Sequence, residues 1–187
     1  MPPLCPPPPW LLLNNVSCMH NAQTVLRDIN LSIHDGTTLV LTGANGSGKT
    51  TLLRMLAGFS RPSMGEILWN SHDVTSPGQY KLQLNWMSLK DTVKKKLTML
   101  ENVKWFELLE GKDGSRRKRL QLARLLAIDR LIWLLDEPSI VLDAEGTRLL
   151  EYIIAEHRKE GGIVFVSTHL PIEIEDSMPH QLPQRFP

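Results

Sequence analysis

An octapeptide of small residues ending in a lysine and a hydroxyl, Gly43-Ala44-Asn45-Gly46-Ser47-Gly48-Lys49-Thr50, has the composition of a phosphate cradle. Its glycines let neighbouring backbone N–H groups turn toward one anion, and a helix beginning at the lysine adds its positive end. The pattern is G-x-x-x-x-G-K-[ST], in which the lysine reaches the β- and γ-phosphates of a nucleotide and the hydroxyl faces Mg²⁺. Gly43, Ala44, Asn45, Gly46, Ser47, Gly48, Lys49, Thr50 and Thr51 are therefore the candidate nucleotide-binding residues, with Thr50 also on the metal side.

A second constellation begins where the apolar run Ile132 to Leu135 ends in Asp136-Glu137-Pro138. A carboxylate at a strand tip beside a phosphate loop can hold Mg²⁺ through its water shell, which suits Asp136; Glu137 is then placed to orient and polarise an attacking water. Alone, Asp-Glu would read as a solvated acidic turn; the phosphate loop upstream tips the reading toward catalysis. His169 ends the run that starts at Ile163, where an imidazole can hydrogen-bond the γ-phosphate or the attacking water, and Asp143 stands a few residues beyond Glu137.

These side chains need strands and helices to present them, and the residue pattern supplies both. Thr24 to Ile33 alternates as a half-buried strand, and Asp35-Gly36 makes a turn into the β-rich run Thr37 to Gly43. Lys49 to Gly58 has leucines at helical spacing, with Gly58 as C-cap. Gly65 to Trp69 and Leu82 to Ser88 read as short strands, and Thr98 to Glu110 and Ser115 to Ile128 as helices. Leu131 to Glu137 and Ile163 to His169 read as buried strands around an amphipathic helix, Ala144 to Glu160, with Leu149, Leu150, Ile153 and Ile154 inward. The expected class is α/β with a mostly parallel, covered sheet.

The 187 residues fit one domain with a core of its own, burying roughly 70% of the unfolded surface. A net charge of +1, from 21 basic and 20 acidic residues, gives no global field toward nucleic acid or an anionic membrane. Two cysteines, Cys5 and Cys18, offer neither a disulfide framework nor a zinc site. No apolar run approaches the ~20 residues that span a bilayer. The proline-rich start, residues 1–9, reads as an extended lead without the basic residues of a signal or transit peptide.

In this order the motifs resemble the ATP-binding-cassette (ABC) ATPases, with Walker A at Gly43 to Thr50, Walker B at Ile132 to Asp136, a D-loop around Asp143 and a switch histidine at His169. The segments AGFSRPSMGEILWN, RKRLQLARLLAIDRLIWLLDEPS and RLLEYIIAEHRKEGGIVFVSTHLPIEIEDSM look like the CcmA branch, the ATPases of cytochrome c maturation, especially its plant form. The resemblance implies a P-loop sheet core over residues 10–187, an N-terminal antiparallel β portion and a helical subdomain reduced to residues 81–116. It implies ATP and Mg²⁺ as ligands, with Lys49, Glu137 and His169 catalytic and Asp143 a dimer contact. It also implies a homodimer docked on integral-membrane permease subunits of the CcmB and CcmC type, serving haem delivery or export, and a peripheral place on the mitochondrial inner membrane.

Three positions depart from that pattern. Where an LSGGQ-like signature precedes the basic helix that starts at Arg117, this chain has Lys112-Asp113-Gly114-Ser115-Arg116, and roughly thirty residues of mostly helical sequence expected before it have no counterpart. A coupling glutamine falls on Lys90 and an adenine-stacking aromatic on His20. The cationic run Arg116 to Arg119 is read as the start of the post-signature helix, since its flanking leucines suit a core and no aromatic platform accompanies it for RNA. The missing signature leaves a second expectation open: a nucleotide-binding module with little or no turnover.

Overall fold

A computed structural model describes residues 9–76, 78–88, 125, 129–138, 142, 144–169 and 172–183. Two sheets form its frame. An antiparallel sheet has the order β2-β1-β4-β5, from β1 (Leu11–His20), β2 (Gln23–Ile33), β4 (Met64–Trp69) and β5 (His72–Asp73). A five-stranded sheet has the order β6-β7-β8-β3-β9, from β3 (Thr38–Thr42), β6 (Leu84–Ser88), β7 (Ile132–Asp136), β8 (Ile163–Ser167) and β9 (Met178–Gln181). Every pairing in the second sheet is parallel. The α-helices with bounds among the described residues are α1 (Lys49–Leu56) and α2 (Ala144–Lys159).

The parallel strands are apolar at consecutive positions because both faces of their sheet are covered. Successive side chains point to opposite faces, so each strand divides its residues between two cores. Leu39, Leu41, Ile132, Leu134, Ile163 and Phe165 join the cluster that includes α1 and the antiparallel sheet. Val40, Trp133, Leu135, Val164 and Val166 join the cluster with Leu150, Ile153 and Ile154 of α2. Leu149, expected inward, is 44% exposed, so the buried stripe of α2 is narrower than the sequence suggests. Leu125 is buried in the α2-side core.

The sequence reading missed three strands: β1, β9 and the two-residue β5. In β1, register shifts between Leu13 and Met19 and a left-handed Asn15, with φ 48°, break the alternation that signals a strand. In β9, Pro179 stands inside the strand; an edge position tolerates its missing N–H. The expected strand Leu82 to Ser88 begins as a 3-10 turn (Gln79–Gln83) and becomes β6 from Leu84. β6 pairs in parallel with β7 and is the outermost strand on that side of the sheet among the described residues. The proline lead through residue 8, Lys90, the expected helices at 98–110 and 115–128 apart from Leu125, the signature position 112–116 and Asp143 lie outside the described residues.

Candidate functional site

The phosphate loop connects β3 to α1, with Gly48 as the N-cap of α1. Gly48 has φ 100°, and a Cβ there would stand 2.8 Å from Leu26 Cδ2 and 3.1 Å from Val25 Cγ1. Both the left-handed backbone and the close approach of β2 therefore require glycine. The main chain turns once before it, where the Ser47 N–H donates to Ala44 O at 3.1 Å. Inside the loop the buried Lys49 ammonium donates to Gly43 O at 2.7 Å and to Ala44 O at 3.2 Å. Ser47 Oγ is buried without a hydrogen-bond partner among the described residues. Thr51 follows on the first turn of α1, half-buried.

The alternation of the parallel sheet explains how the carboxylate reaches this loop. Asp136 shares its face of β7 with Ile132 and Leu134, the face on which α1 packs. Its Oδ1 and Oδ2 accept from Thr50 Oγ1 at 3.1 and 3.0 Å. In the neighbouring strand Ser167 is opposite Asp136 in the parallel register, and its Oγ donates to Asp136 Oδ1 at 2.6 Å. A hydroxyl beside a carboxylate makes a hard-oxygen pair of the kind Mg²⁺ takes. Thr50 and Asp136, expected on the metal side from sequence, thus stand together and fit that ion.

Glu137 leaves the strand in a left-handed conformation, φ 55°, which a non-glycine residue adopts at a cost of about 1–2 kcal/mol. Its N–H is held by Ser167, donating to the main-chain oxygen at 3.0 Å and to Oγ at 3.0 Å. That turn points the carboxylate at the two other candidates. Oε1 is 2.8 Å from His169 Nδ1 and 3.8 Å from Lys49 Nζ. Oε2 is buried and has no hydrogen-bond partner among the described residues. Burial raises the Glu137 pKa; His169 and Lys49 pull it down and the charge of Asp136 pushes it up, with burial prevailing. A carboxyl with an unpartnered oxygen and raised proton affinity suits a general base.

Lys49, Thr50, Asp136, Glu137 and His169 are therefore within one continuous set of contacts. Sequence reasoning missed Ser167, the residue that ties two of them together. A hydroxyl two places before His169 was visible in Val166-Ser167-Thr168-His169, but its role follows only from the β7–β8 register. His20, at the exposed end of β1, makes none of these contacts.

A parallel sheet with a Gly-rich loop leading to a helix, and with strand-tip carboxylates facing the loop, defines a P-loop nucleotide-binding fold. A family model described as ABC transporter matches residues 26–118. The chain is 64% identical to "ABC transporter I family member 1" of Arabidopsis thaliana over 206 residues, 96% of this chain and 90% of that protein. It is 32% identical to "Cytochrome c biogenesis ATP-binding export protein CcmA" of Escherichia coli (strain K12), with 86% of this chain and 89% of that protein covered. An ABC transporter ATP-binding protein from Pyrococcus furiosus superposes with a TM-score of 0.70 at 25% identity, covering 92% of this chain and 96% of that one. A dimeric ATP-binding cassette in a post-hydrolysis state, bound to ADP and Pi, shares the fold with a TM-score of 0.63 at 23% identity, covering 86% and 88%. The chain belongs to the ABC transporter ATP-binding proteins. Among the described residues no helix is long and apolar enough to cross a membrane.

Proposed function

We propose that this protein binds and hydrolyses ATP as the motor subunit of a cytochrome c maturation transporter. The observation that carries the chemistry is the contact set Thr50–Asp136–Ser167–Glu137–His169, closed by Lys49. In this reading the loop N–H groups and Lys49 hold the β- and γ-phosphates, and Thr50 with Asp136 holds Mg²⁺. The metal, when bound, supplies positive charge to the phosphate oxygens. Glu137 accepts a proton from the attacking water, and Oε2 is its carboxylate oxygen without a hydrogen-bond partner among the described residues. His169 holds the other oxygen, Oε1, and so fixes the orientation of the carboxylate. The left-handed Glu137, fixed by Ser167, keeps the base from swinging away.

The transport assignment is supported by the relatives named as CcmA and by the more similar plant ABC protein. On it, the partners are a second copy of the chain, with Asp143 at the dimer contact, and permease subunits of the CcmB and CcmC type. The place is peripheral, at the mitochondrial inner membrane, and the cargo is haem. The domain reading is one ATPase domain over 10–187 behind the lead at 1–9.

A second reading is a nucleotide-binding module with little turnover. It is favoured by one observation: the alignment to the Arabidopsis protein runs over 206 residues, more than the 187 of this chain, so stretches of that relative have no counterpart here. If they include the signature and its supporting helices, the γ-phosphate loses a donor from the opposing subunit, a loss on the order of 10²–10³ in rate. Mg-ATPase turnover measured beside nucleotide affinity separates the two. Turnover that disappears in both Lys49→Ala and Glu137→Gln supports the motor reading. Binding that depends on Lys49 without turnover supports the second.

A further inference from the structure

The sequence has one Asn-Gly dipeptide, Asn45-Gly46, and it stands at the exposed corner of the phosphate loop. The chemistry of this pair is intramolecular. The Gly46 main-chain nitrogen, losing its proton to hydroxide, attacks Cγ of the Asn45 amide and forms a five-membered succinimide. The Cγ–Nδ2 bond breaks and ammonia leaves. Water then opens either imide carbonyl, giving aspartate or isoaspartate. No oxidant, reductant or enzyme enters the balance.

Both reacting groups are available. Neither the Asn45 side chain nor the Gly46 N–H takes a hydrogen bond among the described residues. Gly46 is exposed, and a Cβ built on it would meet nothing within 4 Å, so neither a side chain nor a neighbour obstructs the ring closure. Asn70-Ser71, the exposed comparison elsewhere in the chain, is different. The Asn70 N–H donates to Trp10 O at 3.1 Å, its carbonyl is 2.7 Å from His72 Nδ1, and Ser71 brings a side chain to the attacking nitrogen.

We propose that Asn45-Gly46 is a spontaneous deamidation site that bound nucleotide shields. Shielding rests on the nucleotide-binding reading above: a phosphate engaging the Gly46 N–H removes the nucleophile that closes the ring. The product opposes the site's function in two ways. Aspartate adds a negative charge to a loop that receives phosphate. Isoaspartate also adds a methylene to the main chain, moving the N–H groups off their common target. An empty loop therefore ages faster than a filled one, and an aged loop binds nucleotide less well.

The test incubates the full chain at mildly alkaline pH, with and without Mg-ADP, and follows each asparagine by peptide mass mapping and isoaspartate detection. The expected result is conversion at Asn45 severalfold faster than at Asn70 and every other asparagine, slowed severalfold by Mg-ADP. Nucleotide affinity of the converted chain should fall at least about tenfold, as for a like charge set within a few ångströms of phosphate. Asn45→Asp should reproduce that loss, and Asn45→Gln should abolish the conversion, since a longer amide closes the ring poorly. Conversion at Asn45 no faster than at Asn70 would overturn the site. Rapid conversion unaffected by ADP, in a chain that calorimetry shows to bind ADP, would overturn the shielding. If calorimetry shows no ADP binding, the function reading and the shielding fail together, while the rate in the bare chain still decides the site.

Discussion

β7 and β8 run side by side in parallel, and their two ends do opposite things with polar residues. At the C-terminal tips, Asp136, Glu137, Ser167 and His169 converge on the phosphate loop, with a left-handed backbone at Glu137 and, among the described residues, an unpartnered buried oxygen on its carboxylate. At the N-terminal ends, His157 of α2 stacks on Trp133 with ring centroids 3.8 Å apart and planes 5° apart, and its Nε2 meets Leu131 O at 3.2 Å. One end holds strain and an unused acceptor. The other accommodates its histidine by stacking and a hydrogen bond. A buried ionisable residue thus signals chemistry in one setting and packing in the other, and its neighbours distinguish them.

The largest effect expected is at the tips. Asp136→Asn should lower Mg-dependent nucleotide affinity or turnover by on the order of 10²-fold, read by titration with and without the metal. A loss equal in both conditions would mean that Asp136 merely holds the loop together. Next, Ser167→Ala removes the donor to Asp136 and one of two acceptors for the Glu137 N–H. It should cost about 1–3 kcal/mol in denaturant unfolding and lower turnover further than it lowers metal-free nucleotide affinity, with Ser167→Thr restoring part of both.

At the opposite end the effect should be on stability alone. A Cβ at Gly162 would lie 2.2 Å from His157 Nε2, so Gly162→Ala must push the ring from Trp133. About 1–3 kcal/mol of destabilisation is expected, with nucleotide affinity per folded molecule unchanged. Any direct loss of affinity would show that the two ends are coupled. The smallest effect is a pH dependence. Burial lowers the His157 and His180 pKa values below their ordinary 6.5, so the unfolded chain takes up these protons first as pH falls. Their contribution is complete above 6.5 and is lost as pH drops through the window down to the lowered folded values. Thermal unfolding of His157→Gln should show a shallower decline across that window than the parent chain.

The site was more legible than the frame that holds it. Residue type and spacing marked Lys49, Thr50, Asp136, Glu137 and His169 as candidates, and the structure brings the five together. Ser167 needed knowledge of which residues face each other across β7 and β8, and strand register is set by packing as well as local sequence. β1 was hidden by its bulge and β9 by its proline, both of which interrupt alternation while pairing continues around them. Leu149 was placed inward by helical periodicity, which assigns a face but cannot tell how wide a stripe the sheet covers.

β3, which leads into the phosphate loop, is an inner strand because β9 pairs with it, from Leu39↔Met178 to Thr42↔Gln181. The Leu182 N–H continues the ladder to Thr42 O at 2.9 Å, and a Cβ on Gly43 would lie 3.0 Å from Leu182 O. In a chain emerging from the ribosome, the loop is made early and its backing strand late. Both neighbours of β3 are late segments, β8 on one side and β9 on the other, so the strand behind the cradle has neither partner until most of the polypeptide has been synthesised. The support of the cradle is thus a late product of synthesis, complete only when distant parts of the chain have met.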